Sequence, residues 1–199
     1  MAYLFQIVHF VPCNVALQYY TEVKSAGELS RREHLEILDF YENFYQQSLK
    51  GTKYLENENA STDEYAYGVN SLHNRLNNEN ETVITIRDNK NDKLFGFMTG
   101  FRVHEFRGQK VCHNRVMCSD NLPTPGHCML LATAAREFSD TKIYGYNCAN
   151  SQQDFIAKFE LLGMTIERDH ENFPDDLAEI YDEHSPDNRE DFVCVWYPE

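Results

Sequence analysis

The run NLPTPGHCMLL at residues 121–131 combines the residue types of a helix entrance with those of an anion site. Thr124 is the expected N-cap, Pro125 suits the first helical turn, and Gly126 lets another group come close to the main chain. Leu130, Leu131, Ala134, Ala135 and Phe138 then fall on one helical face. A helix start presents unpaired N–H groups and about half a positive charge, which suits a phosphate or pyrophosphate. The same residues also make an ordinary helix start, and the segment alone leaves both readings open. Just upstream, CHNRVMC (112–118) and then GHC (126–128) gather Cys112, His113, Cys118, His127 and Cys128. Their spacings match no standard zinc module, so free thiols on a strand are the ordinary explanation and no metal is expected.

Charge supplies a second chemical feature. Residues 167–191 hold eleven Asp or Glu against two Arg, which accounts for −9 of the net −14. Such a cluster attracts a polyamine, an aminoglycoside or a lysine side chain, and it reads equally as a solvated loop with a short helix over 175–181. The overall charge argues against nucleic acids and anionic membranes as partners. With 199 residues, 42% apolar and 25% charged, the chain is expected to form one domain over 1–199. Cys13, Cys112, Cys118, Cys128, Cys148 and Cys194 include no C-x-x-C pair, so reduced thiols and a cytoplasmic setting are expected. The apolar start, MAYLFQIVHFVPC, lacks a basic leader and is interrupted by His9 and Pro12, so it reads as a strand. No stretch reaches membrane-spanning length.

The elements that must position these groups follow from periodicity. A first strand is expected over 3–11. Ser30 and Glu33 form a capping-box pattern ahead of a helix whose Leu35, Leu38, Tyr41, Phe44, Tyr45 and Leu49 recur at helical spacing, with Gly51 ending it. Residues 56–64 read as a loop and 69–76 as a short helix. ETVITIRD (81–88), KLFGFMTGFRVHEF (93–106) and QKVCHNRVMCSD (109–120) predict a three-stranded antiparallel meander with turns at 89–92 and at Arg107–Gly108. The helix at 124 comes next, then a strand at 142–150, a helix at 151–163, and strands at 164–169 and 191–199. This mixed order predicts an α+β domain, one central sheet covered by helices.

In this order, and in two local motifs, the chain resembles the GNAT superfamily of acyl-CoA-dependent N-acyltransferases over nearly its whole length. The family's cofactor loop reads Q/R-x-x-G-x-G/A before a helix, with a Leu pair soon after. Here the window is Pro123-Thr124-Pro125-Gly126-His127-Cys128, followed by Met129-Leu130-Leu131. FIAKFELLGM (155–164) is similar to the family helix that ends in a glycine before a strand. The resemblance implies an α/β/α sandwich with a mixed, mostly antiparallel sheet. It implies acetyl-CoA as co-substrate, with its pyrophosphate at Thr124, Gly126, His127, Cys128 and Met129 and its pantetheine along strand 109–120, Val116 included. Two departures bear on this. Pro123 stands in place of Gln or Arg and Cys128 in place of a small residue, and Pro123 and Pro125 both lack an N–H to give a phosphate.

Acyl transfer to an amine needs a base, donors for the tetrahedral oxyanion and a proton for the departing thiolate. By resemblance the oxyanion donor is the main-chain N–H of Cys118, and the base lies near Cys112 or Asn114. His113, between them, has a suitable intrinsic pKa; strict alternation turns it to the opposite face, from which a β-bulge would bring it round. His104 and Glu105 are further candidates. The family's proton-donating tyrosine falls on Phe159, leaving Tyr144 or Tyr146 to replace it. The expected function is direct acyl transfer from acetyl-CoA to a primary amine of a small cationic molecule or a lysine-bearing protein. The competing reading is a GNAT-fold acidic module that binds a basic protein without catalysis. Family members are often dimers, so a homodimer is a further expectation of the resemblance.

Overall fold

The computed structural model describes residues 18–49, 71–148, 153–177 and 192–198. The expected first strand (3–11), the loop at 56–64 and Gly51 lie outside them. The first described strand is β1 (Tyr19–Ser25), which leads through a 3-10 turn (Ala26–Glu28) into helix α1 (Arg31–Leu49). β1 was not expected from the sequence. Among the described strands it comes first in the sheet, and only its Tyr19 is fully buried, so YYTEVKS shows little alternation to read.

Among the described residues seven strands form a mostly antiparallel sheet in the order β1-β2-β3-β4-β5-β7-β6, with β2 at Thr82–Asp88, β3 at Leu94–Phe106, β4 at Gln109–Ser119, β5 at Lys142–Cys148, β6 at Thr165–Glu167 and β7 at Phe192–Trp196. Helices flank it: α1, a short α2 at 71–76, α3 (Thr124–Glu137) and α4 (Gln153–Leu161). The predicted meander is present. At the β2–β3 turn Asp88 Oδ1 accepts the N–H groups of Lys90 and Asn91, at 2.7 and 3.1 Å. At the β3–β4 turn Arg107 and Gly108 both take positive φ, 49° and 73°, the backbone that a two-residue hairpin requires. β4 and β5 are parallel, Cys112 beside Ile143 and His113 beside Tyr144, because α3 carries the chain back between them. β7 pairs antiparallel with both β5 and β6.

Contacts divide the chain into two compact units, with cuts inside β3 after Gly100, inside β4 after Arg115 and inside α3 after Leu130. In the unit that holds β1, β2 and α1, the core gathers Ala26, Ile37, Leu72, Leu76, Val83, Leu94, Phe97 and Cys118, with Leu38, Phe40, Tyr41 and Phe44 of α1 packed against it. The predicted capping box is formed: Glu33 N–H donates to Ser30 Oγ at 3.2 Å, and Ser30 N–H donates to Glu33 Oε2 at 2.8 Å. In the other unit Val111, Tyr144, Phe173, Leu177 and Cys194 make the core, bordered by Phe106 and Trp196.

Several boundaries differ from the sequence reading. Thr124 is the first residue of α3 and not its N-cap; the cap position belongs to Pro123, whose carbonyl accepts the N–H groups of Gly126 and His127 at 2.8 and 3.2 Å. A proline there has no side-chain oxygen to offer, so the main-chain oxygen takes over. The expected helix over 175–181 is helical at 175–177, and its remainder lies outside the described residues. α4 and β6 are each shorter than their predicted runs, Gln153–Leu161 and Thr165–Glu167.

Candidate active site

The four predicted catalytic residues lie on β4 and β5. Alternation along β4 is kept through 111–113 with no register shift, so His113 shares a face with Val111 and Arg115, opposite Cys112 and Asn114. No bulge is needed to make His113 useful, because its own face carries a polar cluster. His113 is fully buried, and its Nδ1 lies 2.5 Å from Asp176 Oδ2. Its ring stacks on Tyr144 with centroids 4.7 Å apart and meets Tyr146 edge-on at 5.9 Å. The Tyr144 hydroxyl donates to Asp176 Oδ1, and His104 Nε2 lies 2.7 Å from that hydroxyl. Arg115 Nη2 stands 3.9 Å from Asp176 Oδ2. Among the described residues, His113 Nε2 is buried with no hydrogen-bond partner.

Electrostatics separate the members of the cluster. For Asp176, burial works against the charge, but hydrogen bonds from His113 and Tyr144 outweigh it and hold the carboxyl down at about 2. Burial pushes His113 below the ordinary imidazole value, against the pull of Asp176, so the ring is neutral at neutral pH. Burial raises the Tyr144 hydroxyl far above the usual phenol range, with Asp176 adding to it. The three β4 candidates therefore differ in kind. Burial pushes the Cys112 thiol up to about 12, and Asn114 Oδ1 accepts from the Tyr197 hydroxyl at 2.8 Å, whereas His113 keeps a basic lone pair. Tyr146 is 38% exposed, and His104 28% at its side chain. Among the described residues no cluster of His, Cys, Asp or Glu could hold a metal ion.

Sequence reasoning treated Asp176 only as one of eleven carboxylates. What puts it beside His113 is burial of its neighbours: Phe173 and Leu177 enter the core around Val111 and Tyr144, and the Leu177 N–H donates to Pro174 O at 2.9 Å. An apolar residue just after a carboxylate pair, Asp175-Asp176-Leu177, was the available signal.

The predicted cofactor residues, 116 to 129, lie in the other unit. Cys118 is buried in its core, with the thiol raised by that burial, and Val116 packs at the rim. Gly96 permits the close approach of β3 to the Cys118 carbonyl, since a Cβ there would sit 2.7 Å from that oxygen. His127 bridges Ser119 Oγ at 2.8 Å and the Pro123 carbonyl at 3.3 Å. Cys128 and Met129 are half-buried, and burial raises the Cys128 thiol. Gly126 has a packing role that sequence reasoning did not foresee: a Cβ on it would meet Leu122 Cδ1 at 2.4 Å. The helix start still fits an anion, with an exposed Thr124 offering its N–H and hydroxyl beside the helix dipole. The donor set is reduced, because Pro125 has no N–H and Gly126 and His127 give theirs to Pro123.

The meander, the parallel β4–β5 step across α3 and the inserted β7 define the GNAT fold. Solved structures agree. The chain is similar to PH1933 from Pyrococcus horikoshii OT3, with 12% identity, TM-score 0.53, and 90% of this chain and 99% of that one covered. It is also similar to the PaiA N-acetyltransferase of Thermoplasma acidophilum in complex with coenzyme A, at 10% identity and TM-score 0.52, covering 90% and 99% of the two chains. No family model matches the sequence, and no curated protein matches it.

Proposed function

We propose that this chain is an acyl-CoA-dependent N-acyltransferase, moving an acetyl group directly from the thioester to a primary amine of a cationic acceptor. The observation that carries the reading is His113: a carboxylate engages one ring nitrogen, and among the described residues the other has no partner, on the strand where the resemblance expects the base. The PaiA N-acetyltransferase, solved with coenzyme A, shares the fold and supports the choice of co-substrate. His113 Nε2 is closed to solvent in the free chain, so the acceptor reaches it by displacing a neighbour such as the part-exposed Tyr146. Nε2 then takes a proton from the acceptor ammonium, and the freed amine attacks the thioester carbonyl. The oxyanion that forms accepts from the Cys118 main-chain N–H. It collapses to the amide as the C–S bond breaks and the nitrogen gives up its second proton, which restores the phenol of Tyr146 after that group has protonated the thiolate. The thiolate leaves with a proton from Tyr146, since the Tyr144 hydroxyl is committed to Asp176. Thr124 gives the pyrophosphate its N–H and hydroxyl, Gly126, His127, Cys128 and Met129 line the same helix start, and Val116 lies along the pantetheine arm. The acidic segment 167–191 attracts the acceptor's charge.

Calorimetric titration with acetyl-CoA, using desulfo-CoA and ATP as controls, tests the co-substrate. Release of free thiol with polyamines and lysine peptides then tests the reaction. Specific micromolar binding and acceptor-dependent release are expected, with His113→Gln lowering kcat by about 10²- to 10⁴-fold and leaving acetyl-CoA affinity unchanged. No binding to any CoA species overturns the reading.

A further inference from the structure

Among the described residues, the hydrogen bonds of the cluster fix where its protons lie. Asp176 is ionised and therefore accepts only. Its Oδ2 faces His113 Nδ1 and its Oδ1 receives the Tyr144 hydroxyl, so His113 must carry its proton on Nδ1. Tyr144 has spent its single proton on Asp176, so the 2.7 Å contact with His104 requires His104 to donate from Nε2. One carboxylate thereby sets the tautomers of two histidines, in opposite senses.

We infer that Asp176 is the positioning residue of this site: it holds His113 as the Nδ1–H tautomer with the Nε2 lone pair bare, and through Tyr144 it holds His104 as the Nε2–H tautomer. The kinetic consequence rests on the acyltransferase reading, and the tautomers do not. A neutral imidazole of the other tautomer would present a hydrogen at Nε2 and could not take a proton from an amine there. The stack on Tyr144, 13° from parallel, fixes the ring plane, so that Asp176 need only select the tautomer. The groups facing His113 are Asp176, Arg115, His104, Tyr144 and Tyr146. Of these only Asp176 favours the protonated ring, while Arg115 and His104 oppose it.

The test is heteronuclear NMR of the full chain labelled with ¹⁵N-histidine, with signals assigned through His113→Gln and His104→Gln. In the unmutated protein His113 is expected to show a protonated Nδ1 and a bare Nε2, and His104 the reverse. Tyr144→Phe is expected to release His104 to mixed tautomers and leave His113 unchanged. Asp176→Ala is expected to release both, and Asp176→Asn, which keeps an acceptor oxygen without the charge, to restore part of the Nδ1–H form. In kinetics Asp176→Asn is expected to lower kcat about tenfold or more. Losing the negative charge lowers the His113 pKa, so the acid limb of kcat/KM moves to lower pH. A His113 with its proton on Nε2 in the unmutated protein overturns the inference, whatever the variants do. So does an Asp176→Ala protein that keeps both tautomers. If no acyl transfer is found but the tautomers are as stated, the acyltransferase reading fails and the role of Asp176 stands.

Discussion

At the scale of single residues, the two glycines near the β4–α3 passage show how one residue type answers to different constraints. Gly96 makes room for a main-chain oxygen, which cannot move aside, whereas Gly126 makes room for the end of the Leu122 side chain. Gly126→Val is therefore expected to destabilise the fold by about 1–3 kcal/mol through overpacking against Leu122. Urea denaturation measures that loss, and an unchanged midpoint would mean that Leu122 finds another rotamer at no cost. Lost coenzyme A affinity in this variant would then have two sources, displacement of the helix start and a blocked phosphate approach. His113 Nε2, without a partner among the described residues, is a different kind of residue-level fact. A buried acceptor without a donor costs about 1–3 kcal/mol, and the bare lone pair it leaves is what the proposed chemistry uses.

At the scale of elements, both helix starts are governed by who satisfies the first N–H groups. In α1 the capping box does so, and Lys24 ties it to β1 through Glu33 at 2.7 Å. Ser30→Ala is expected to cost about 1 kcal/mol in thermal or chemical denaturation. Burial works against the Glu33 charge, yet hydrogen bonds from Lys24 and Ser30 hold its carboxyl down at about 2 from an ordinary 4.5. Its folded value is the lower one, so this contribution is full above pH 4.5 and lost as pH falls toward 2. The Ser30→Ala penalty should shrink over that window. In α3 the first turn is poorer in donors. Pro125→Ala adds an N–H and is expected to tighten acetyl-CoA binding by about 2- to 10-fold, one hydrogen bond's worth, in calorimetry. Unchanged affinity would show that the phosphates do not sit at this helix start.

At the scale of the whole molecule, a net charge of −14 on 199 residues implies self-repulsion in the compact state. Raising salt from 10 to 150 mM shortens the screening length from about 30 to about 8 Å. The melting temperature is expected to rise over that range in scanning calorimetry; a fall would mean that attractive pairs such as Arg87–Glu36, at 2.9 Å, outweigh the repulsion. Among the described residues no helix is long and apolar enough to cross a membrane.

The meander, α1 with its capping box, α3 and the strand–helix–strand order after it were legible in the sequence, because each is fixed by local rules of spacing, caps and turn residues. β1 was not, since a strand with one fully buried residue carries little period-two signal. Of the site, His113 could be named from its residue type and strand position, and its face followed from alternation. Its partner could not be named: Asp176 stands 63 positions away in a segment where carboxylates are common, and only the burial of Phe173 and Leu177 selects that one. The sequence by itself determined the elements and their order, since those depend on contacts between near neighbours along the chain. Tertiary structure alone decided which carboxylate meets which imidazole, and hence where the protons sit, because that depends on packing between segments far apart in sequence.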